Sequence, residues 1–191
     1  MTRVAIFASG NGSNAHQLAV YFNNHPSIQV TCVVSNRKQA GVFSKLAEFP
    51  GIEQVYVPKD NWNDEAQVLT ILKEHQIDYI VLAGFLLKIP AFLIQAFPNK
   101  IINIHPALLP KFGGKGMYGM HVHEAVKAAG EKSSGITIHL VNEEFDKGEM
   151  LFQASCELKE SDSAVDIATK VQALEHKHFA KEVEKQILRS C

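Results

Sequence analysis

The stretch Val4-Ala5-Ile6-Phe7-Ala8-Ser9-Gly10-Asn11-Gly12-Ser13-Asn14 decides the fold. Five consecutive apolar residues that run into a glycine loop read as a strand buried on both faces. Leu18, Ala19 and Phe22 then recur at helical spacing, so a helix follows the loop. Strand, glycine loop and helix in that order leave free backbone N–H groups at a helix N-terminus, which is a ready anion site. Ser13 and Asn14 are side chains that cap such a helix or donate to phosphate oxygens. Gly10, Gly12 and Ala15 satisfy the Gly-x-Gly-x-x-Gly/Ala spacing of dinucleotide-binding loops. The second strand, however, ends in Ser35-Asn36-Arg37, not in the acidic residue that holds an adenosine ribose. Arg37 could meet an NADP 2′-phosphate, but a loop rich in Asn and Ser better suits a terminal monophosphate. Gly113-Gly114-Lys115-Gly116 is no P-loop, because Gly116 stands where Ser or Thr is required.

Outward from this segment, strands are expected near residues 3–8, 29–35, 53–57, 78–83, 101–104, 135–141 and 149–157. Helices are expected near 14–24, 40–48, 63–75, 90–97, 120–129 and 162–188. Strand–helix alternation in the first half predicts a parallel sheet. The last two strands, joined by the turn over residues 142–148, predict an antiparallel extension before a long closing helix. The competing reading of that turn is that Asp146 merely initiates it, with Gly148 supplying a positive φ. The expected class is α/β, a single domain over residues 1–191. It is a Rossmann-like, mostly parallel twisted sheet with helices on both faces and an antiparallel C-terminal extension. Ligands of such sheets lie outside the carboxyl ends of strands. The segments 10–14, Phe85 and 103–105 all follow strand ends, so they are expected to converge on one crevice.

The run Ile101-Ile102-Asn103-Ile104-His105-Pro106-Ala107-Leu108-Leu109-Pro110 carries the chemistry. Residues i and i+2 of a strand share a face, so Asn103 and His105 project together where the strand becomes a loop. An amide donor beside an imidazole can hold an oxygen that gains charge and manage a proton next to it. Further on, Gly135-Ile136-Thr137-Ile138-His139-Leu140-Val141 alternates like a strand and runs into Asn142-Glu143-Glu144-Phe145-Asp146-Lys147-Gly148. A carboxylate on that turn can reach a histidine at a neighbouring strand end. Paired with Asp146, His105 is expected to hold its proton more strongly. His139 shares its strand with Thr137 and is a second candidate for the pocket wall. His75, His176 and His178 read as surface groups on helices.

Composition narrows the classes. A hydrophobic content of 46% and a charged content of 20% are ordinary for a globular protein. A net charge of −1 leaves no electrostatic footprint for nucleic acid. No apolar run approaches the ~20 residues of a membrane span. Cys32, Cys156 and Cys191 are odd in number and widely spaced, as expected of free thiols in the cytoplasm. His121 and His123 lack the i,i+4 spacing and partners of a metal site, so no metal is expected.

In the order and spacing of these motifs the chain resembles the phosphoribosylglycinamide formyltransferases, folate-dependent enzymes of purine synthesis. The resemblance rests on 9–14, Val81-Leu82-Ala83-Gly84-Phe85, 103–110 and 145–148, and it covers essentially the whole chain. It implies transfer of the formyl group of 10-formyltetrahydrofolate, as co-substrate, to the amine of phosphoribosylglycinamide through a tetrahedral intermediate. It also implies roles. Asn103, His105 and Asp146 would be catalytic, with protonated His105 and Asn103 on the developing oxyanion. Gly12, Ser13, Asn14, Gln172 and Glu175 would hold the ribonucleotide. Leu86, Leu87, Lys88, Ile89 and Asn103 would meet the folate, with Phe85 and His139 in the pocket. The partners implied are these small molecules, acting on a monomer or weak homodimer, with no nucleic acid and no membrane. Two departures stand out. Residues 111–120 form a longer loop than many relatives have, and acidic and amide groups surround Asp64 where some offer an arginine to folate. The rival readings are another folate-dependent formyl transferase, formyltetrahydrofolate hydrolase, or a nucleotide-binding module without chemistry.

Overall fold

The computed structural model describes residues 1–189; Cys191 lies outside them. Seven strands form one sheet: β1 (Thr2–Phe7), β2 (Ile28–Ser35), β3 (Glu53–Tyr56), β4 (Tyr79–Leu82), β5 (Ile101–His105), β6 (Ser133–Leu140) and β7 (Met150–Glu157). Six helices connect or close it: α1 (Ser13–Phe22), α2 (Gly41–Leu46), α3 (Glu65–Glu74), α4 (Ala91–Ala96), α5 (Met120–Ala128) and α6 (Ala164–Arg189). The expected elements are all present with ends displaced by one or two residues, and a single 3₁₀ turn over Lys59–Asn61 is additional.

The sheet order is β3-β2-β1-β4-β5-β6-β7. Strands β1 to β5 pair in parallel, and β6 and β7 are antiparallel. Alternation within β1 explains the two layers of core. Val4 and Ile6 face a cluster with Leu18 and Phe22 of α1 and Phe179 and Val183 of α6. Ala5 and Phe7 face the opposite cluster, with Val68 and Leu72 of α3, Leu93 of α4 and the buried Trp62. Ile102 and Ile104 belong to the first cluster and Ile101 to the second, so Asn103 and His105 lie on the second face. No buried residue of that second cluster comes from β6 or β7. The polar side of the antiparallel extension is therefore left for loops and ligands.

Local chemistry sets the helix boundaries. The Asp64 carboxylate caps α3, accepting from the Gln67 N–H at 3.0 Å, so this residue has a structural task where some relatives offer an arginine. Ser163 and Asp166 bond reciprocally at the start of α6. His75 is not a surface group: its side chain is largely covered, Nδ1–H donates to the Ile71 carbonyl, and Nε2 lies 3.0 Å from Glu53. Among the described residues no helix is long and apolar enough to cross a membrane.

The turn after β6 differs from that competing reading. Asp146 itself, not Gly148, takes the left-handed conformation, with φ 55°. Gly148 is required for space, since a Cβ there would lie 1.7 Å from the Leu140 carbonyl oxygen. Gly148→Ala is expected to destabilise by more than the ~1–3 kcal/mol usual for overpacking, because the obstacle is backbone. A melt showing unchanged Tm would contradict this.

Candidate active site

The strand order reverses between β1 and β4, and the crevice opens at their carboxyl ends. It is a cavity of about 890 Å³, walled by the 10–14 loop, the 82–89 segment, β5, the 114–120 loop, the 141–146 turn and α6. That size fits a small-molecule site.

Asn103 registers with His139 and His105 with Thr137 across β5 and β6. The four side chains therefore form one block on one face. His139 Nδ1 meets the Leu140 carbonyl at 2.8 Å, and its Nε2 lies 3.0 Å from the Asn103 amide nitrogen. This aligns Asn103 and leaves its second N–H free. His105 is 4% exposed, and its Nε2 donates to the Phe112 carbonyl at 2.8 Å. The opposite nitrogen, Nδ1, lies 3.6 Å from Asp146 Oδ2, while Asp146 Oδ1 lies 3.6 Å from His139 Nε2. Asp146 thus sits between the two histidines and is held by the Gly114 N–H at 2.8 Å.

The electrostatics correct one expectation. Burial pushes the His105 pKa below the usual histidine range and outweighs the Asp146 charge and the Phe112 carbonyl, which both raise it. The resting imidazole is therefore the neutral form near pH 7, with its proton on Nε2. Burial alone would raise the Asp146 carboxyl, but His139, His105 and the Gly114 N–H together hold it below the usual carboxylate range. Asp146 is an anion beside a histidine that gains a charge only when something else favours it.

Also lining the crevice, Gly12 is the N-cap of α1, with φ 75° and no side-chain cap. Ser13 and Asn14 are therefore not caps. Asn14 Nδ2 donates to Glu175 at 2.9 Å, and Ser13 Oγ accepts from Gln172 at 3.3 Å. The expected ribonucleotide contacts from α1 and α6 are thus brought together, with the free N–H groups of α1 beside them. Burial raises the Glu175 pKa, and the Asn14 bond opposes this. A Cβ on Gly12 would meet Val42 at 2.6 Å, so glycine here serves the fold as well as the opening.

All of Phe85, Leu86, Leu87, Lys88 and Ile89 line the crevice. Phe85 also packs on Phe7 and Trp62, with ring centroids 5.5 and 4.7 Å apart. The Ser9 hydroxyl fixes the segment by accepting from the Leu86 N–H, and Trp62 Nε1 by donating to the Lys88 carbonyl, each at 2.9 Å. Across the mouth, Lys88 Nζ lies 5.6 Å over the Phe145 ring.

A family model described as formyl transferase matches residues 2–183. The phosphoribosylglycinamide formyltransferase of Bacillus subtilis is 34% identical, and the match covers 98% of this chain and 95% of that protein. The chain belongs to this family. The chloroplastic phosphoribosylglycinamide formyltransferase of Arabidopsis thaliana is 38% identical over 95% of this chain. The chain spans less than two thirds of the length of that protein and of its Vigna unguiculata counterpart. The crystal structure of phosphoribosylglycinamide formyltransferase from Anaplasma phagocytophilum superposes with a TM-score of 0.87 at 35% identity, covering 95% of this chain and 84% of that one.

Several residues of this formyl transferase family member were not singled out by its sequence. Ser9 and Trp62 steady the apolar wall, and Trp62, as the one tryptophan of the chain, was the available signal. His123 is 6% exposed, lines the crevice, and its pKa is pushed down by burial and by His105. Phe112 and Gly114 act through backbone atoms, which leave no mark in residue type. Among the described residues no group of His, Cys, Asp and Glu is placed to hold a metal ion.

Proposed function

We propose that this protein transfers the formyl group of 10-formyltetrahydrofolate to the amine of phosphoribosylglycinamide. The observation that carries the reading is the joining of two differently equipped ends in one crevice. One end is a helix N-terminus with polar side chains from α1 and α6. The other is an apolar wall ending at the Asn103, His105, His139 and Asp146 block. The first suits a phosphorylated sugar and the second a flat heterocycle, so the wall fits the folate.

The folate supplies the one-carbon unit. Gly12, Ser13, Asn14, Gln172 and Glu175 would hold the ribonucleotide, and Leu86–Ile89 the pterin, so that amine and formyl carbon meet at the end of β5. Alignment of two bound reactants can contribute ~7–11 kcal/mol. The free N–H of Asn103 donates to the formyl oxygen as charge gathers there. His105, neutral at rest, takes the proton that the attacking amine sheds and delivers it to the departing nitrogen. Asp146 stabilises His105 while it carries that charge. The net charge of −1 and the free thiols of Cys32 and Cys156 support action on small molecules in a reducing cytoplasm. We read the protein as a monomer or weak homodimer that needs neither metal, nucleic acid nor membrane.

The purified protein, mixed with phosphoribosylglycinamide and 10-formyltetrahydrofolate, is expected to form the formylated ribonucleotide with release of tetrahydrofolate. Loss of the formyl group to water at a rate independent of the ribonucleotide would identify a hydrolase. Ribonucleotide binding by calorimetry with no formyl loss would identify a binding module.

A further inference from the structure

His105, Thr137 and Gln153 occupy one row across three strands, His105 in register with Thr137 and Thr137 with Gln153. Neither Thr137 nor Gln153 lines the crevice. Thr137 is fully buried, and its hydroxyl donates to the Ala107 carbonyl at 2.7 Å and accepts from the Leu109 N–H at 3.0 Å. Gln153 Nε2 donates twice, to the Leu109 carbonyl and to Thr137 Oγ1, each at 2.9 Å. These bonds tie down an arch that leaves the sheet at His105 and returns at Phe112. Phe112 holds a left-handed backbone, φ 56°, while its ring packs on the main core. In this conformation its carbonyl meets His105 Nε2. A carbonyl accepts only, so the neutral imidazole must keep its proton on Nε2 and leave Nδ1 facing Asp146.

We propose that Gln153 is a positioning residue. By holding the Leu109 carbonyl it keeps the Phe112 carbonyl on Nε2, and so decides which ring nitrogen of His105 is protonated at rest. The proposal rests on the reading of His105 as the proton carrier of the reaction. In chemical terms, Nδ1 is then the atom that receives the amine proton, on the side where Asp146 stabilises the resulting charge. Without the Gln153 donor, Leu109 loses a partner, the arch relaxes, and the proton is free to distribute between the two nitrogens.

The test is Gln153→Leu in the whole protein, with Gln153→Glu as the second variant of matching size that offers acceptors where donors are needed. ¹⁵N NMR of the imidazole is expected to show His105 as a single Nε2–H tautomer in the parent and as a mixture in both variants. In the transfer reaction kcat should fall by about 10²-fold at most, the scale of a small misplacement of reacting groups, while KM for the ribonucleotide stays close to the parent value. The acid limb of the pH profile should shift together with the NMR titration of His105. If either folded variant keeps the Nε2–H tautomer and the parent kcat, the inference is overturned. The NMR readout does not depend on turnover. A tautomer shift in the variants therefore supports the positioning role even if His105→Ala transfers formyl normally, a result that would overturn only the site reading.

Discussion

Replacing His105 by alanine is expected to lower kcat by about 10²- to 10³-fold, and Asn103→Ala by a similar factor, or ~2.7–4 kcal/mol each. Both groups line the crevice at the end of β5, while Gly12 and Asn14 line it at the start of α1. On the proposed mechanism they act on charge and on a proton that appear only as the amine attacks. Ribonucleotide affinity should therefore stay within a few-fold of the parent. The double variant should lose less than the product of the two single losses, because one oxyanion and one proton path are served by both residues. His105 is buried, so folding is first checked by its melting transition. Near-parental single-turnover transfer in the folded double variant would remove these residues from the site.

Asp146→Asn should produce the second large effect. The substitution keeps the size and the left-handed tolerance of the position, where φ is 55°, but removes the charge 3.6 Å from His105 Nδ1. In the parent, burial lowers the His105 pKa and Asp146 partly restores it. Without the carboxylate the pKa falls further. His105 must be neutral to accept a proton, so the parent rate is lost as pH drops through its pKa. In the variant that acid limb moves to lower pH. The rate on the plateau collapses, since the imidazolium formed during transfer has lost its counter-charge. Should NMR titration give the same His105 pKa in parent and variant, the pairing is wrong.

Much of this arrangement was legible in residue order. The run 4–14 announced strand, glycine loop and helix because burial on both faces and a tight turn demand those residue types. Asn103 and His105 were placed on one side by the two-residue period of a strand, and their cross-strand neighbour His139 was a reasonable second candidate. What residue order could not weigh was desolvation. A carboxylate near a histidine argues for a raised pKa, yet burial outweighs it at His105, and burial is set by the packing of all the surrounding elements.

Residue order alone carries the element order, the parallel half of the sheet, the antiparallel extension and the candidates at three strand ends. These follow from periodicity and from glycine and proline, which act locally. It took packing in three dimensions to bring Asn14 to Glu175, to leave no space beside Gly148, and to aim backbone atoms of Phe112 and Gly114 at His105 and Asp146. Every residue carries the same carbonyl and almost every one the same N–H. Which of them reaches a side chain of the candidate site depends on how distant segments pack, and residue type does not record it.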